Sequence, residues 1–158
     1  MNINRGKDFE AVVKDCFLTV PGVSIDRLHD QMTGFKGSTN ICDFIVYKEP
    51  YEYYFECKAV HGNTLPFSNI TENQWQGMLL KSKIPGVYAG VICWWVDRDV
   101  TIYIPIQRMQ EYKEVGFKSI RFDIFDNAGV YQIHGKKKRV FFDYDMKDFL
   151  ERLSYGKN

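Results

Sequence analysis

The sequence has no apolar run approaching the roughly 20 residues that a membrane-spanning helix needs. It also has no excess of charge of either sign, because 21 Lys and Arg residues against 20 Asp and Glu residues give a formal net charge of +1. The overall field therefore favours neither a polyanion nor a polycation as partner. The polar start of the chain, MNINRGKDFE, lacks the apolar core of a signal peptide. We expect a cytoplasmic protein that does not associate with a membrane.

Cysteine is sparse, and no pair has the C-x-x-C spacing of a zinc site. Four scattered cysteines agree with a reducing compartment, in which buried thiols are favoured over disulfides. The three histidines have no partner spacing, so none receives a chemical role. The cysteines are Cys16, Cys42, Cys57 and Cys93.

Hydrophobic periodicity predicts an α/β fold in one domain spanning residues 1–158. Apolar residues at helical spacing predict helices over 5–18, after Thr71, over 106–115 and over 146–153. Buried strands are expected over 87–96 and 100–105, and shorter strands over 23–28, 130–133 and 140–144. The alternation of helices and strands indicates a mixed central β-sheet flanked by helices. Residues 30–39 are rich in Gly, Ser and Thr and predict a loop.

Residues 39–60, TNICDFIVYKEPYEYYFECKAV, predict a β-hairpin that carries an unusual set of charges. A turn centred between residues 49 and 50 sets Asp43 opposite Glu56, at about 4.5–5.5 Å between Cβ atoms. Lys58 lies two residues beyond Glu56 and projects from the same face, roughly 7 Å along the strand. The same register sets Cys42 opposite Cys57, as buried thiols or, alternatively, as a disulfide. The hairpin thus gathers two carboxylates and one ammonium group.

Two carboxylates that face each other are unfavourable unless a positive charge lies between them. Mg²⁺ is bound by one or two carboxylates together with water and phosphate oxygens. A lysine beside such a metal would stabilise the charge developing on a phosphate or help to activate water. The alternative is an exposed sheet face whose Asp43, Glu56 and Lys58 form a weak surface ion pair.

Two residues outside the hairpin have two interpretations each. Glu10 lies at the margin of the apolar face of the first helix, where it either reaches over the sheet to a metal or is a solvated glutamate near the helix start. Gln74 lies three residues after Thr71, as in a capping box, and this could be its whole role.

The two adjacent tryptophans, Trp94 and Trp95, point to opposite faces of a strand and are assigned to the core or to a dimer interface.

Taken together, these residues resemble a known family. Asp43 followed by Glu56-Cys57-Lys58 matches the PD-(D/E)XK nuclease pattern, and the chain resembles RecU-type Holliday junction resolvases within that superfamily. The resemblance covers most of the chain. It includes Asn-Arg-Gly at 4–6 with Phe-Glu at 9–10, Ser-Thr at 38–39, Leu-Pro-Phe at 65–67 and Gln74, Lys-Ser-Ile at 118–120, and Arg139 with Asp-Tyr at 143–144.

The resemblance implies a restriction-endonuclease-like core and a homodimer that cuts four-way DNA junctions with Mg²⁺ or Mn²⁺. The small size would suit a phage-encoded member of the family. It gives metal-binding roles to Asp43 and Glu56, to the backbone carbonyl of Cys57, and to Glu10 as a further acid. Lys58 becomes the catalytic lysine, and Gln74 lies at the rim of the active site. The alternatives are a nuclease of the same superfamily acting on another DNA substrate, and a non-catalytic DNA-binding protein of this fold.

One departure concerns junction recognition. The family carries an extended basic stalk before its Ser-Thr segment, whereas here only a short stalk-like loop over 30–39 takes that place. The densest basic cluster is instead at 136–139, and its alternative is a solvated turn between two strands. The predicted DNA-binding residues are Arg5, Lys36, Ser38, Thr39, Lys136, Lys137, Lys138 and Arg139.

Overall fold

The computed structural model describes residues 5–28, 40–124 and 129–155. The helices of these ranges are α1 (Arg5–Leu18), α2 (Glu72–Ser82), α3 (Ile106–Glu114) and α4 (Met146–Tyr155). The strands are β1 (Ser24–Arg27), β2 (Phe44–Lys48), β3 (Tyr51–Val60), β4 (Thr64–Pro66), β5 (Val87–Trp95), β6 (Val100–Pro105), β7 (Ser119–Arg121), β8 (Tyr131–Gln132), β9 (Gly135–Lys137) and β10 (Phe142–Tyr144). The predicted bounds of the first helix are confirmed. The predicted loop over 30–39, with Lys36, Ser38 and Thr39, lies outside the described ranges.

Six strands form a mixed sheet in the order β1-β2-β3-β5-β6-β8. β3 runs parallel to β5, while the other neighbouring pairs are antiparallel. The β2–β3 register pairs Tyr47 with Glu52 and Phe44 with Phe55. This confirms the predicted hairpin register and places its second strand in the middle of the sheet. The α/β class with a mixed central sheet is also confirmed.

Helices cover both faces of the sheet, because successive strand side chains point to opposite sides. α1 and α4 pack on one face, which includes Phe55, and α2 and α3 pack on the other, which includes Tyr54. The rings of Phe17 and Phe55 stack with centroids 5.5 Å apart, and Phe149 of α4 lies 5.7 Å from Phe55. These aromatic contacts fix the position of α1 across the sheet and therefore the position of its polar side chains.

Trp94 and Trp95 are both buried, one in the core on each face. This confirms the interpretation that they belong to the core. Among the described residues, no helix combines the length and apolar character needed to cross a membrane.

Cys42 does not share a face with Cys57, so this part of the predicted register is wrong. The chain bends at residues 41–43, before β2 begins. The bend breaks the alternation of sides, so Cys42 packs in the core under α2 and Cys57 in the core under α1. Both thiols are free and buried, as are those of Cys16 and Cys93.

The basic segment at 136–139 is exposed and lies half in a strand and half in the turn that follows it. Gly135–Lys137 forms β9, which pairs antiparallel with β10 in a separate two-stranded ribbon. The ribbon is anchored by Tyr144, whose hydroxyl shares a 2.6 Å hydrogen bond with Thr101, and by Phe141, whose ring packs against Trp94 at 5.4 Å. We call residues 135–144 the basic ribbon.

Candidate active site

Asp43 lies just before β2, at the end of the hairpin where its two strands separate. Its backbone is held on both sides, since its N–H donates to the carbonyl of Phe55 at 3.1 Å and its carbonyl accepts from the N–H of Leu28 at 2.8 Å. Its Oδ2 accepts a hydrogen bond from the N–H of Cys57 at 2.8 Å. The carboxylate is therefore fixed against β3 by main-chain contacts.

Glu56 lies in the middle of β3 and is only 2% exposed. Its Oε2 is 3.2 Å from Nζ of Lys58 and accepts a second hydrogen bond, at 3.1 Å, from Nε2 of Gln74. Its Oε1 is buried and has no hydrogen-bond partner within the described residues. Because a buried carboxylate oxygen without a partner is costly, this atom is a candidate for binding a cation or a substrate group.

The carboxyl groups of Asp43 and Glu56 lie within hydrogen-bonding range of each other. Burial, and after it the charge of Glu56, raises the pKa of Asp43 to about 7. Burial also raises the pKa of Glu56, against the opposing effect of Lys58. Two such groups cannot both remain ionised at this separation unless a positive charge joins them. The pair therefore favours a bound proton or a cation in addition to the nearby ammonium group of Lys58.

Glu10 extends the acidic cluster from α1. Its Oε2 is 3.1 Å from Nη2 of Arg27, at the end of β1, and its carboxyl lies within hydrogen-bonding range of Asp43. Burial, and after it the charge of Asp43, raises the pKa of Glu10 to about 6, although Arg27 opposes this shift. The side chain of Glu10 is thus turned toward the acids of the hairpin and away from open solvent.

These contacts link five side chains into a row of three acidic residues with one basic residue at each end: Arg27, Glu10, Asp43, Glu56 and Lys58. Lys58 and Arg27 are the more exposed members, with side chains 27% and 40% exposed. The row lies where β2 has not yet paired with β3, so Glu10 of α1 reaches it from one face of the sheet and Gln74 of α2 contacts it from the other. We call these five residues the charged row.

The charged row contains carboxylates, the donor type that a hard divalent cation prefers. Across residues 5–28, 40–124 and 129–155, no three His, Cys, Asp or Glu side chains are already gathered as a metal-binding group. Mg²⁺, however, needs only one or two carboxylates when water and phosphate oxygens complete its shell. Asp43 and Glu56 would supply these, and Oε1 of Glu56, which has no partner among the described residues, is the atom that would gain one.

Gln74 performs both of the tasks that its sequence position left open. The Thr71 side chain accepts from the Gln74 N–H, and the Gln74 Oε1 accepts from the Thr71 N–H at 3.0 Å, which completes a capping box at the start of α2. Its Nε2 remains free to donate to Glu56. The cap therefore determines which way the amide points into the site.

The contact between Arg27 and Glu10 could not be found from local sequence pattern. The two residues are 17 positions apart, in elements that meet only through tertiary packing. The only signal was the position of Arg27 at the end of a predicted strand, beside the hairpin's open end.

The predicted DNA-binding residues that the structure describes lie in two places. The basic ribbon exposes Lys136, Lys138 and Arg139, while Lys137 forms an ion pair with Asp99. Arg5 begins α1, and its buried Nη1 has no hydrogen-bond partner in the described part of the chain. Phe9 of α1 packs against Trp94, which also contacts Phe141, so the ribbon lies on the α1 side of the sheet.

The chain was compared with protein families, curated proteins and solved structures. A family model described as RecU, recombination protein U, matches residues 5–145. No curated protein matches the chain. Among solved structures, the chain is similar to Archaeoglobus fulgidus Hjc, a Holliday junction resolvase from an archaeal hyperthermophile. That match has 17% sequence identity, a TM-score of 0.47, and coverage of 65% of this chain and 78% of the other.

Proposed function

This chain belongs to the RecU family of recombination proteins, and we propose that it resolves four-way DNA junctions by metal-dependent hydrolysis of phosphodiester bonds at the charged row. The observation that carries the proposal is the contact between the carboxyl groups of Asp43 and Glu56, one of which leaves a buried oxygen without a partner among the described residues. Such a pair is costly in the absence of a cation and favourable in its presence.

Asp43 and Glu56 would hold Mg²⁺ or Mn²⁺, which supplies a water of lowered pKa and neutralises charge on the phosphate. The main-chain carbonyl of Cys57 would be a third ligand. The N–H of Cys57 is directed toward Asp43, and in a β-strand the N–H and C=O of one residue point to the same side. That carbonyl lies beyond the last β2–β3 pair, so no ladder bond competes for it.

Lys58 and Gln74 have complementary tasks beside Glu56. Lys58 is partly exposed and lies 3.2 Å from Glu56, so its ammonium group can donate to a phosphate oxygen and stabilise developing negative charge. Gln74 holds Oε2 of Glu56, which orients the carboxylate and leaves Oε1 for the cation. Glu10 is a further acid next to Asp43. It would contact either a water bound to the cation or the cation itself.

DNA would be held mainly through phosphates, since the candidate contacts are basic side chains that suit phosphate groups. Lys136, Lys138 and Arg139 of the basic ribbon are exposed, and Arg5 has a nitrogen unpaired within the described residues. The predicted contacts of Lys36, Ser38 and Thr39 belong to the same proposal. Symmetric cutting of a junction needs two sites, so we infer a homodimer, which sedimentation at micromolar concentration tests.

Cleavage of three substrates tests the proposed function. The protein is mixed with a four-way junction, a nicked duplex and a linear duplex of the same sequence, with Mg²⁺, with Mn²⁺ and with EDTA. We expect paired cuts in the junction only when metal is present, and no cleavage by Lys58→Ala. Equal cutting of linear duplex would instead indicate a nuclease for another DNA substrate. Binding without cutting in either metal would indicate a non-catalytic protein.

A further inference from the structure

We propose that Arg27 is a further DNA-contacting residue, which binds a phosphate beside the cleavage site with the N–H groups that Glu10 leaves free. The inference rests on the proposed function and extends it from the acids and Lys58 to the other end of the charged row. Arg27 would hold the strand on the α1 side of the metal, opposite to Lys58.

The geometry of the charged row is the first support. Two basic side chains flank three acidic ones, with Lys58 3.2 Å from Glu56 and Arg27 3.1 Å from Glu10. A phosphodiester bound over Asp43 would therefore have one basic side chain on each side. Because the backbone of Leu28 bonds to that of Asp43 at 2.8 Å, Arg27 is held one residue from the central acid.

The chemistry of the guanidinium group is the second support. Only Nη2 of Arg27 contacts Glu10 within the described residues, and the side chain is 40% exposed. A guanidinium group has five N–H donors in a planar fork that matches phosphate oxygens. One edge can therefore hold Glu10 while the other faces a phosphate, which a single ammonium group does less well.

A purely structural role for Arg27 predicts different measurements. In that case, Arg27 only orients Glu10, so its removal would weaken metal binding and leave DNA binding in EDTA unchanged. If Arg27 binds phosphate, its removal weakens DNA binding in EDTA. Metal affinity then stays the same or increases, because a positive charge beside the acids has been removed.

The experiment measures junction binding in EDTA over a range of salt concentrations, together with Mn²⁺ binding by calorimetry without DNA. For Arg27→Gln we expect about tenfold weaker DNA binding and a salt slope lower by about 0.9. Arg27→Lys should keep the slope and lose part of the affinity. Arg121→Gln is the matched control, because Arg121 also ends a strand and pairs with an aspartate at 3.1 Å, outside the charged row.

Unchanged DNA affinity and salt slope in Arg27→Gln would overturn the inference, as would an equal loss in Arg121→Gln. Thermal melting shows whether each variant is folded, and Arg27→Lys keeps the test valid if Arg27→Gln is not. The proposed function fails separately, if the unaltered protein neither prefers junctions nor cuts them with metal.

Discussion

Gln74 donates a hydrogen bond from Nε2 to Oε2 of Glu56 at 3.1 Å while its Oε1 accepts from the N–H of Thr71 at 3.0 Å. One side-chain amide thus joins the first turn of α2 to the buried carboxylate of β3. The start of a helix is used to orient an acid, because the capping box fixes the amide in one rotamer.

The first prediction separates the support of Glu56 from the helix cap. Gln74→Ala loses the hydrogen bond to Glu56 together with the side-chain acceptor for the Thr71 N–H, so we expect Mn²⁺ affinity and cleavage to fall by about 10- to 100-fold. Thr71→Ala loses only the side-chain oxygen that accepts from the Gln74 N–H, and it should cost about 1 kcal/mol of unfolding free energy with near-normal metal affinity. Calorimetry and denaturant unfolding provide the measurements. Equal losses of metal affinity in both variants would contradict the assignment.

The second prediction concerns Asp43→Asn. Replacing one of two opposed carboxylates removes their repulsion, so we expect this variant to melt at a higher temperature than the unaltered protein in EDTA. Metal should no longer raise its melting temperature, whereas the unaltered protein gains about 2.7 kcal/mol at a metal concentration of 100 times Kd. Cleavage should fall to background. A variant that is less stable in EDTA would show that Asp43 is a structural acid.

The third prediction is a pH dependence of stability. The pKa of Asp43 rises from 3.8 to about 7 on folding, and that of Glu10 from 4.5 to about 6. The folded state therefore binds more protons in this window, so metal-free stability should fall as the pH rises from about 4 to about 7.

Denaturant midpoints in EDTA at several pH values test this prediction. In the control variant Asp43→Asn, stability should change less with pH than in the unaltered protein. Saturating Mg²⁺ should restore stability at about pH 8 but not at about pH 5, where protons compete for the acids. If the stability of both proteins changed equally with pH across the acidic range, Asp43 would not be the cause of the pH dependence.

The fourth prediction concerns the basic ribbon. In a combined Lys136→Ala, Lys138→Ala, Arg139→Ala variant, DNA binding should weaken, and its salt slope should fall by about 0.9 for each phosphate that is no longer neutralised. Lys83→Ala, an exposed lysine at the far end of α2, serves as the control. If both variants bind DNA equally well, the ribbon is a solvated surface.

The fifth prediction concerns the close approach of β5 and β6. A Cβ added to Gly90 would lie 2.3 Å from the carbonyl oxygen of Ile104 and 2.9 Å from Cα of Pro105. Both are main-chain atoms that cannot turn away, so Gly90→Ala should cost about 1–3 kcal/mol. Denaturant unfolding measures the loss, and an unchanged midpoint would mean that the two strands separate at little cost.

Much of the site was predictable from one hairpin. The turn between residues 49 and 50 and the two-residue period of a strand predict Asp43 opposite Glu56, with Lys58 on the same face. The structure has the predicted register from Phe44–Phe55 to Lys48–Tyr51, and Lys58 contacts Glu56 at 3.2 Å, while Asp43 lies in the bend just before these pairs. The capping box of Gln74 was also predictable, because a cap depends on residues three positions apart. The resemblance to the RecU family is confirmed by the family model.

Local sequence pattern was enough to predict the helices, the register of the hairpin, and a patch of acids beside a lysine. The packing of distant elements was needed to bring Glu10 to Asp43, Gln74 to Glu56, and Arg27 to the end of the row. These contacts join elements on opposite faces of the sheet, so they depend on how the aromatic core places α1 and α2. The predicted position of Cys42 was wrong for a related reason. A bend before the regular strand breaks the alternation of side chains between the two sheet faces, on which the prediction relied.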